Sequence, residues 1–228
     1  MLHEMIRRGM PIDEIVCCDT TIEFPDMYEH QRQVVDNIRP LGYDVTFLRP
    51  DYDFDYFMFD YEKKRGSRAG EKGHGWPNPN YIWCRRNLKL SVIDKYLINR
   101  YGTDYISYIG IAFDEYDRYD DNFMSGHKRY PLIEWEVTEL EALKGCYELG
   151  YDWNGLYTRF YRVSCYCCPF QSIKDLYCLY SYYPELWAKL RSYDDRQMNR
   201  FRKDYTLAEL ERIFSSKEDL RKLMLENY

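Results

Sequence analysis

Three groups of side chains in this sequence are of types and spacings that do chemistry. The first is Asp19-Thr20-Thr21, which follows the short apolar run Ile15 to Cys18 and leads to Pro25. Proline pre-sets a helical φ, so a helix opens there and aims its free backbone N–H groups at the end of the preceding strand, an arrangement that suits a phosphate or sulfate. An ordinary strand–loop–helix join with capping hydroxyls has the same spacing. The second group is thiols. Cys165-x-x-Cys168 brings one pair within reach of a shared ion, and Cys146 lies upstream. A zinc ion or an iron–sulfur cluster wants four ligands, and Cys167, Cys84 and Cys178 are the candidates for the fourth. Small buried hydrophobes and redox-active thiols remain as alternatives. The third group is basic: Lys63, Lys64, Arg65, Arg68 and Lys72 precede Gly73-His-Gly75, and Arg85, Arg86 and Lys89 follow it. Such a loop folds over an anionic ligand or is a solvated connector. His3, His30, His74 and His127 are scattered and form no catalytic dyad; His74, beside the basic loop, is the one to test.

Positioning these groups falls to alternating strands and helices. After an N-terminal helix, strand 13–18 leads to helix 25–39, strand 43–48 to a short helix near 53–60, and an irregular loop to helix 86–100. Strand 105–111 precedes a polar, aromatic loop through about residue 129. This rhythm predicts an α/β fold with a mostly parallel sheet, whose strand ends are where ligands bind. From Thr138, spaced with Glu141 as a capping box, the pattern becomes helical, with helices expected at 170–181, 184–194, 206–214 and 216–226. The expected organisation is a nucleotide-binding α/β domain over 1–135 and a helical, cysteine-rich subdomain over 136–228, whose last thirty residues form a surface hairpin or meet a protein partner.

Composition sets looser bounds. The 228 residues suffice for one good core, and 25 tyrosines and 11 phenylalanines make it aromatic. A net charge of −6 argues against a broad nucleic-acid footprint. No stretch is long and apolar enough to cross a bilayer and no apolar signal core opens the chain, so no membrane role and a cytoplasmic location are expected. Eight cysteines then point to metal or redox use rather than to a disulfide framework.

Asp19-Thr20-Thr21-x-Glu23-Phe24-Pro25 resembles the Asp-Thr-Gly-x-x-Phe-Pro-Glu segment of the phosphoadenosine phosphosulfate reductase-like enzymes of the adenine nucleotide alpha-hydrolase superfamily. Further matches follow in order. Gly73-His-Gly-Trp-Pro77 with Trp83-Cys-Arg-Arg-Asn-Leu-Lys89 is similar to the family's glycine-rich loop and helix start. Tyr108-Ile-Gly-Ile-Ala-Phe-Asp-Glu-Tyr-Asp-Arg118 is similar to its Gly-Ile-Arg-x-Asp-Glu strand end. Tyr130-Pro-Leu-Ile-Glu-Trp135, Gly155-Leu-Tyr157 and Arg162-Val-Ser-Cys-Tyr-Cys-Cys-Pro-Phe170 resemble the cysteine-bearing portion of a phage and bacterial subgroup.

The resemblance implies a Rossmann-like sheet and an adenine nucleotide, ATP or another, bound by Asp19, Thr20 and Thr21. Gly110 and Asp114 would form the next strand's contact surface, with Arg85 and Lys89 at the anionic end. It implies a 4Fe-4S cluster or zinc on Cys146, Cys165, Cys168 and Cys167. The superfamily's Ser-Gly-Gly-Lys-Asp-Ser-type pyrophosphate loop is expected immediately before Met1, with the chain starting inside the helix that follows it. No Glu-Cys-Gly tail occurs after residue 180. The implied activity is therefore adenylyl binding or transfer coupled to sulfur handling; the alternative is a noncatalytic, metal-stabilised nucleotide-binding or interaction module of a mobile-element system.

Overall fold

The computed structural model describes residues 1–115, 118, 127–163, 165–196 and 199–226. Tyr116, Asp117 and most of the loop leading to residue 129 lie outside them, as does Ser164 of the cysteine segment. The chain divides into two compact units: Met1–Cys17, His30–Thr46 and Ile93–Asp152 in the first, and Cys18–Glu29, Phe47–Val92 and Trp153–Tyr228 in the second.

The expected mostly parallel, Rossmann-like α/β sheet is overturned: the fold is mostly helical. Strand β1 (Ile15–Cys18) pairs only with β2 (Val45–Leu48), and β3 (Ser107–Tyr108) only with β4 (Lys128–Arg129), so the described strands form two separate ribbons. A parallel sheet core needs strands covered on both faces, whereas no residue of these four strands is fully buried. The expected strand 105–111 shrinks to two residues because the backbone bends after it. Ile111 N–H turns back to the Ile109 carbonyl at 3.0 Å, and Phe113 N–H goes to Val137 at 2.9 Å.

The helices follow the sequence signals closely. In the first unit, α1 (Leu2–Arg7) buries Met5, and α2 (Pro25–Ile38) enters it with Val35 and Ile38 inward. After α3 (Trp83–Arg85), which belongs to the second unit, come α4 (Ser91–Tyr101), most of it in the first unit, and α5 (Pro131–Glu134) and α6 (Glu139–Glu148), both in the first unit; Thr138 caps α6 in the reciprocal box with Glu141. A polar knot ties the first unit together. The Glu14 carboxylate accepts from Thr46 Oγ1 at 2.6 Å, Tyr96 OH at 2.6 Å and Tyr101 OH at 2.7 Å, with Arg100 at 3.6 Å.

In the second unit α7 (Leu156–Arg159), α8 (Ile173–Tyr182), α9 (Pro184–Asp194), α10 (Leu207–Ser215) and α11 (Lys217–Glu226) supply much of the core. Leu207, Leu210 and Phe214 of α10 fall on one face at helical spacing and are buried, and Trp187 of α9 donates its indole N–H to Glu211 at 2.7 Å. Phe24, fully buried, lies 5.0 Å from Phe160 and 5.2 Å from Tyr183, centroid to centroid. The expected short helix near 53–60 includes a π-type turn over Tyr56–Asp60, closed by Tyr61 N–H on the Tyr56 carbonyl at 2.8 Å. Among the described residues no helix is long and apolar enough to cross a membrane.

Candidate functional site

The loop after β1 is held by its own side chains. Asp19 N–H extends the β1–β2 ladder to the Leu48 carbonyl at 2.8 Å. Asp19 Oδ1 accepts from Thr21 N–H at 2.7 Å and from Tyr28 OH at 2.8 Å, while Oδ2 stands 3.6 Å from Arg49 Nε. Thr21 adopts φ 68°, a costly left-handed conformation for a β-branched residue. Two bonds hold it there: the one from its N–H to Asp19, and the one its hydroxyl accepts from Phe54 N–H at 3.1 Å. Thr20 donates to Glu23 Oε1 at 2.6 Å.

The helix that follows does not present an open anion site. Asp26 occupies the first turn of α2 and accepts from Tyr183 OH and from Asn154 Nδ2, each at 3.0 Å, and Glu23 lies just ahead. Carboxylates already complement the positive end of the helix dipole. The loop is therefore rich in acceptors, which suits hydroxyl or amino donors of a ligand better than its phosphates.

Thiols gather beside this loop. The turn Cys165–Cys168 closes through Cys168 N–H on the Cys165 carbonyl at 3.1 Å, with the buried Gln171 amide on the same carbonyl at 3.1 Å. Tyr166 N–H reaches the Ile22 carbonyl at 3.3 Å and joins that turn to the Asp19 loop. Burial pushes the Cys165 thiol well above its ordinary pKa, with Glu23, Cys168 and Cys84 adding to the shift and a hydrogen bond to Thr20 opposing it. Burial likewise raises Cys84 to about 11, with Cys168 adding to it, and raises Cys167, which feels Cys165, Cys168 and Cys84. All three are neutral at physiological pH, and a neutral thiol is a weak nucleophile.

The remaining predicted residues divide between the units. Arg85 in α3 and Lys89 in the π-type turn Arg86–Leu90 are exposed and sit one and five residues after Cys84. Cys146 belongs to the first unit, on α6, where burial raises its thiol and the Met1 amino group opposes the shift. Gly110 and Asp114 also belong to the first unit; Asp114 Oδ1 accepts from Glu139 N–H at 2.8 Å and so caps α6. Among the described residues no group of three or more His, Cys, Asp or Glu side chains is arranged to hold a metal ion. None of the eight cysteines is in a disulfide.

Sequence reasoning left Tyr28 and Glu23 without roles. Glu23 was legible, since Thr20-x-x-Glu23 has capping-box spacing. Tyr28 carried no signal, because a tyrosine nine residues from an aspartate finds it only through the turn between them.

The chain is 24% identical over 208 residues to an uncharacterized protein of Methanocaldococcus jannaschii, an alignment that covers 82% of this chain and 38% of that protein. The chain thus spans well under half of that relative's length. No family profile matches the chain, and no solved structure does.

Proposed function

We propose that this chain binds an adenine nucleotide at the Asp19–Glu23 loop and handles sulfur at the thiols beside it. The bond from Tyr166 N–H to the Ile22 carbonyl at 3.3 Å, which ties the turn of Cys165 and Cys168 to the acceptor-rich Asp19–Glu23 loop, carries this reading. The ordered resemblance to phosphoadenosine phosphosulfate reductase-like enzymes supports it. Asp19 Oδ2 and Thr20 receive ribose hydroxyl or adenine amino donors, and Arg85 and Lys89, which make no ion pair among the described residues, meet the anionic end. All these groups lie in the second unit.

Calorimetric titration of the full chain with ATP tests the proposal. Thr20→Val keeps the shape of the side chain and removes its hydroxyl, and about a tenfold loss of affinity is expected, the equivalent of one ligand hydrogen bond. Absence of ATP binding to the unaltered chain overturns it.

The raised thiols favour a second reading, a noncatalytic nucleotide-binding or interaction module. ATP binding without adenylate release in the presence of a sulfur donor selects the module, and release abolished by Cys165→Ser selects the enzyme.

A further inference from the structure

A cavity of about 1100 Å³ opens elsewhere in the second unit, and its lining shares no residue with the Asp19 loop. Five cationic side chains, those of Lys63, Lys64, Arg65, Arg68 and Lys72, line it against a single carboxylate, Glu71. Glu71 is shared by two of them, Lys63 Nζ at 3.1 Å and Arg68 Nε at 2.6 Å. Lys64, Arg65 and Lys72 are exposed and have no ion pair among the described residues. Concentrating like charges around a concavity costs Coulomb energy that a bound anion recovers.

The scaffold under these charges is built rather than loose. The basic segment is a hairpin closed by Lys63 N–H on Glu71 O at 2.9 Å, Gly70 N–H on Lys63 O at 2.8 Å and Gly73 N–H on Tyr61 O at 2.8 Å. Its base is fastened to the π-type turn by His74 N–H on Phe57 O at 2.9 Å and Gly75 N–H on Met58 O at 3.1 Å. Trp76, almost fully buried, also lines the cavity, and its indole N–H donates to Asp194 at 2.9 Å. The amide of Asn199 accepts from Trp76 N–H at 3.1 Å and donates to its carbonyl at 3.0 Å.

We propose that this cavity is a binding site for a small molecule carrying several phosphate or sulfate charges, held by Lys64, Arg65 and Lys72. The chain's net charge of −6 and the confinement of the cations to one hairpin oppose an extended polyanion such as a nucleic acid. The site is independent of the nucleotide reading at Asp19.

Inorganic tripolyphosphate, titrated into the full chain at low salt, is the probe. One site is expected, with affinity falling as salt rises. The double variant Lys64→Ala/Lys72→Ala alters only exposed side chains and is expected to weaken binding by at least about tenfold and to flatten the salt dependence. Asp19→Asn is expected to leave tripolyphosphate binding unchanged, which separates this site from the loop after β1. No binding by the unaltered chain, no effect of the double variant, or tighter binding of a short oligonucleotide than of tripolyphosphate overturns the proposal.

Discussion

Replacing Asp19 by alanine removes the one carboxylate that holds Thr21 left-handed. Oδ1 accepts from Thr21 N–H and from Tyr28 OH, and the side chain is about one-fifth exposed. Hydrogen bonds to a charged acceptor contribute about 1.5–3 kcal/mol each, and partial exposure lets water replace some of that. Two such bonds at the low end, discounted for hydration, give a loss of about 2 kcal/mol for Asp19→Ala. Asp19→Asn keeps an oxygen where both donors point and loses only the charge, so its cost is about 1 kcal/mol or less. Urea unfolding of the full chain reads both values, and calorimetry with ATP on the asparagine variant then reports the charge alone. An alanine variant that loses under about 0.5 kcal/mol, or an asparagine variant as damaged as the alanine one, refutes the view that the turn depends on this acceptor.

Three further outcomes follow from other parts of the structure. Glu14→Ala strands three hydroxyls and is expected to cost about 2–4 kcal/mol in urea unfolding, with Glu14→Gln costing less than half as much because an acceptor remains. Gly73→Ala places a Cβ 2.3 Å from the Met58 carbonyl oxygen at φ +69°, so a loss of at least about 2 kcal/mol is expected, visible as a lowered melting temperature. Stability should also fall on acidification in two stages. Burial lowers the pKa of His3, His30 and His74, helped by the amino terminus at His3 and by Lys63 at His74, so the fold favours the neutral rings. Their contribution is complete above about 6.5 and is lost as pH falls through the depressed folded values. Burial alone would raise Glu14, but hydrogen bonds from Thr46, Tyr96 and Tyr101 and the charge of Arg100 lower it. Its contribution is therefore present above its ordinary pKa and disappears below it. Flat stability between pH 7 and pH 5 contradicts the histidine assignment.

Local elements were legible wherever a residue acts on its own neighbours. Pro25 and Pro184 open helices where proline's fixed φ places them, and Thr138 and Thr206 cap theirs through a glutamate three residues on. The sheet was not legible, because adjacency between strands is a long-range property that alternation in the sequence only suggests. Ile15–Cys18 and Val45–Leu48 are apolar enough to be strands, yet their residues are only partly covered and pair as one ribbon. A strand signal of four residues is equally compatible with a sheet core and with a ribbon on a helical body, and what separates them is the burial of both faces.

The same distinction governs the thiols. A two-residue spacer fixes Cys165 and Cys168 in one turn, and the sequence shows that much; which other thiol joins them depends on packing. Trp83, buried with its indole N–H on the Gly75 carbonyl at 2.9 Å, anchors the helix start that carries Cys84 toward Cys168. Cys146 instead shares its surroundings with the Met1 amino group. Burial without a strong neighbouring cation keeps Cys84 and Cys165 protonated, and Glu23 pushes Cys165 further the same way. Nucleophilic sulfur chemistry at this turn therefore has to begin by removing a proton that the surroundings hold on the thiol. Alkylation of Cys165, a half-buried thiol, at pH 7.5 should be slow in the protein alone, and if it proceeds at the rate of an exposed model thiol, the neutral state assigned to it is wrong.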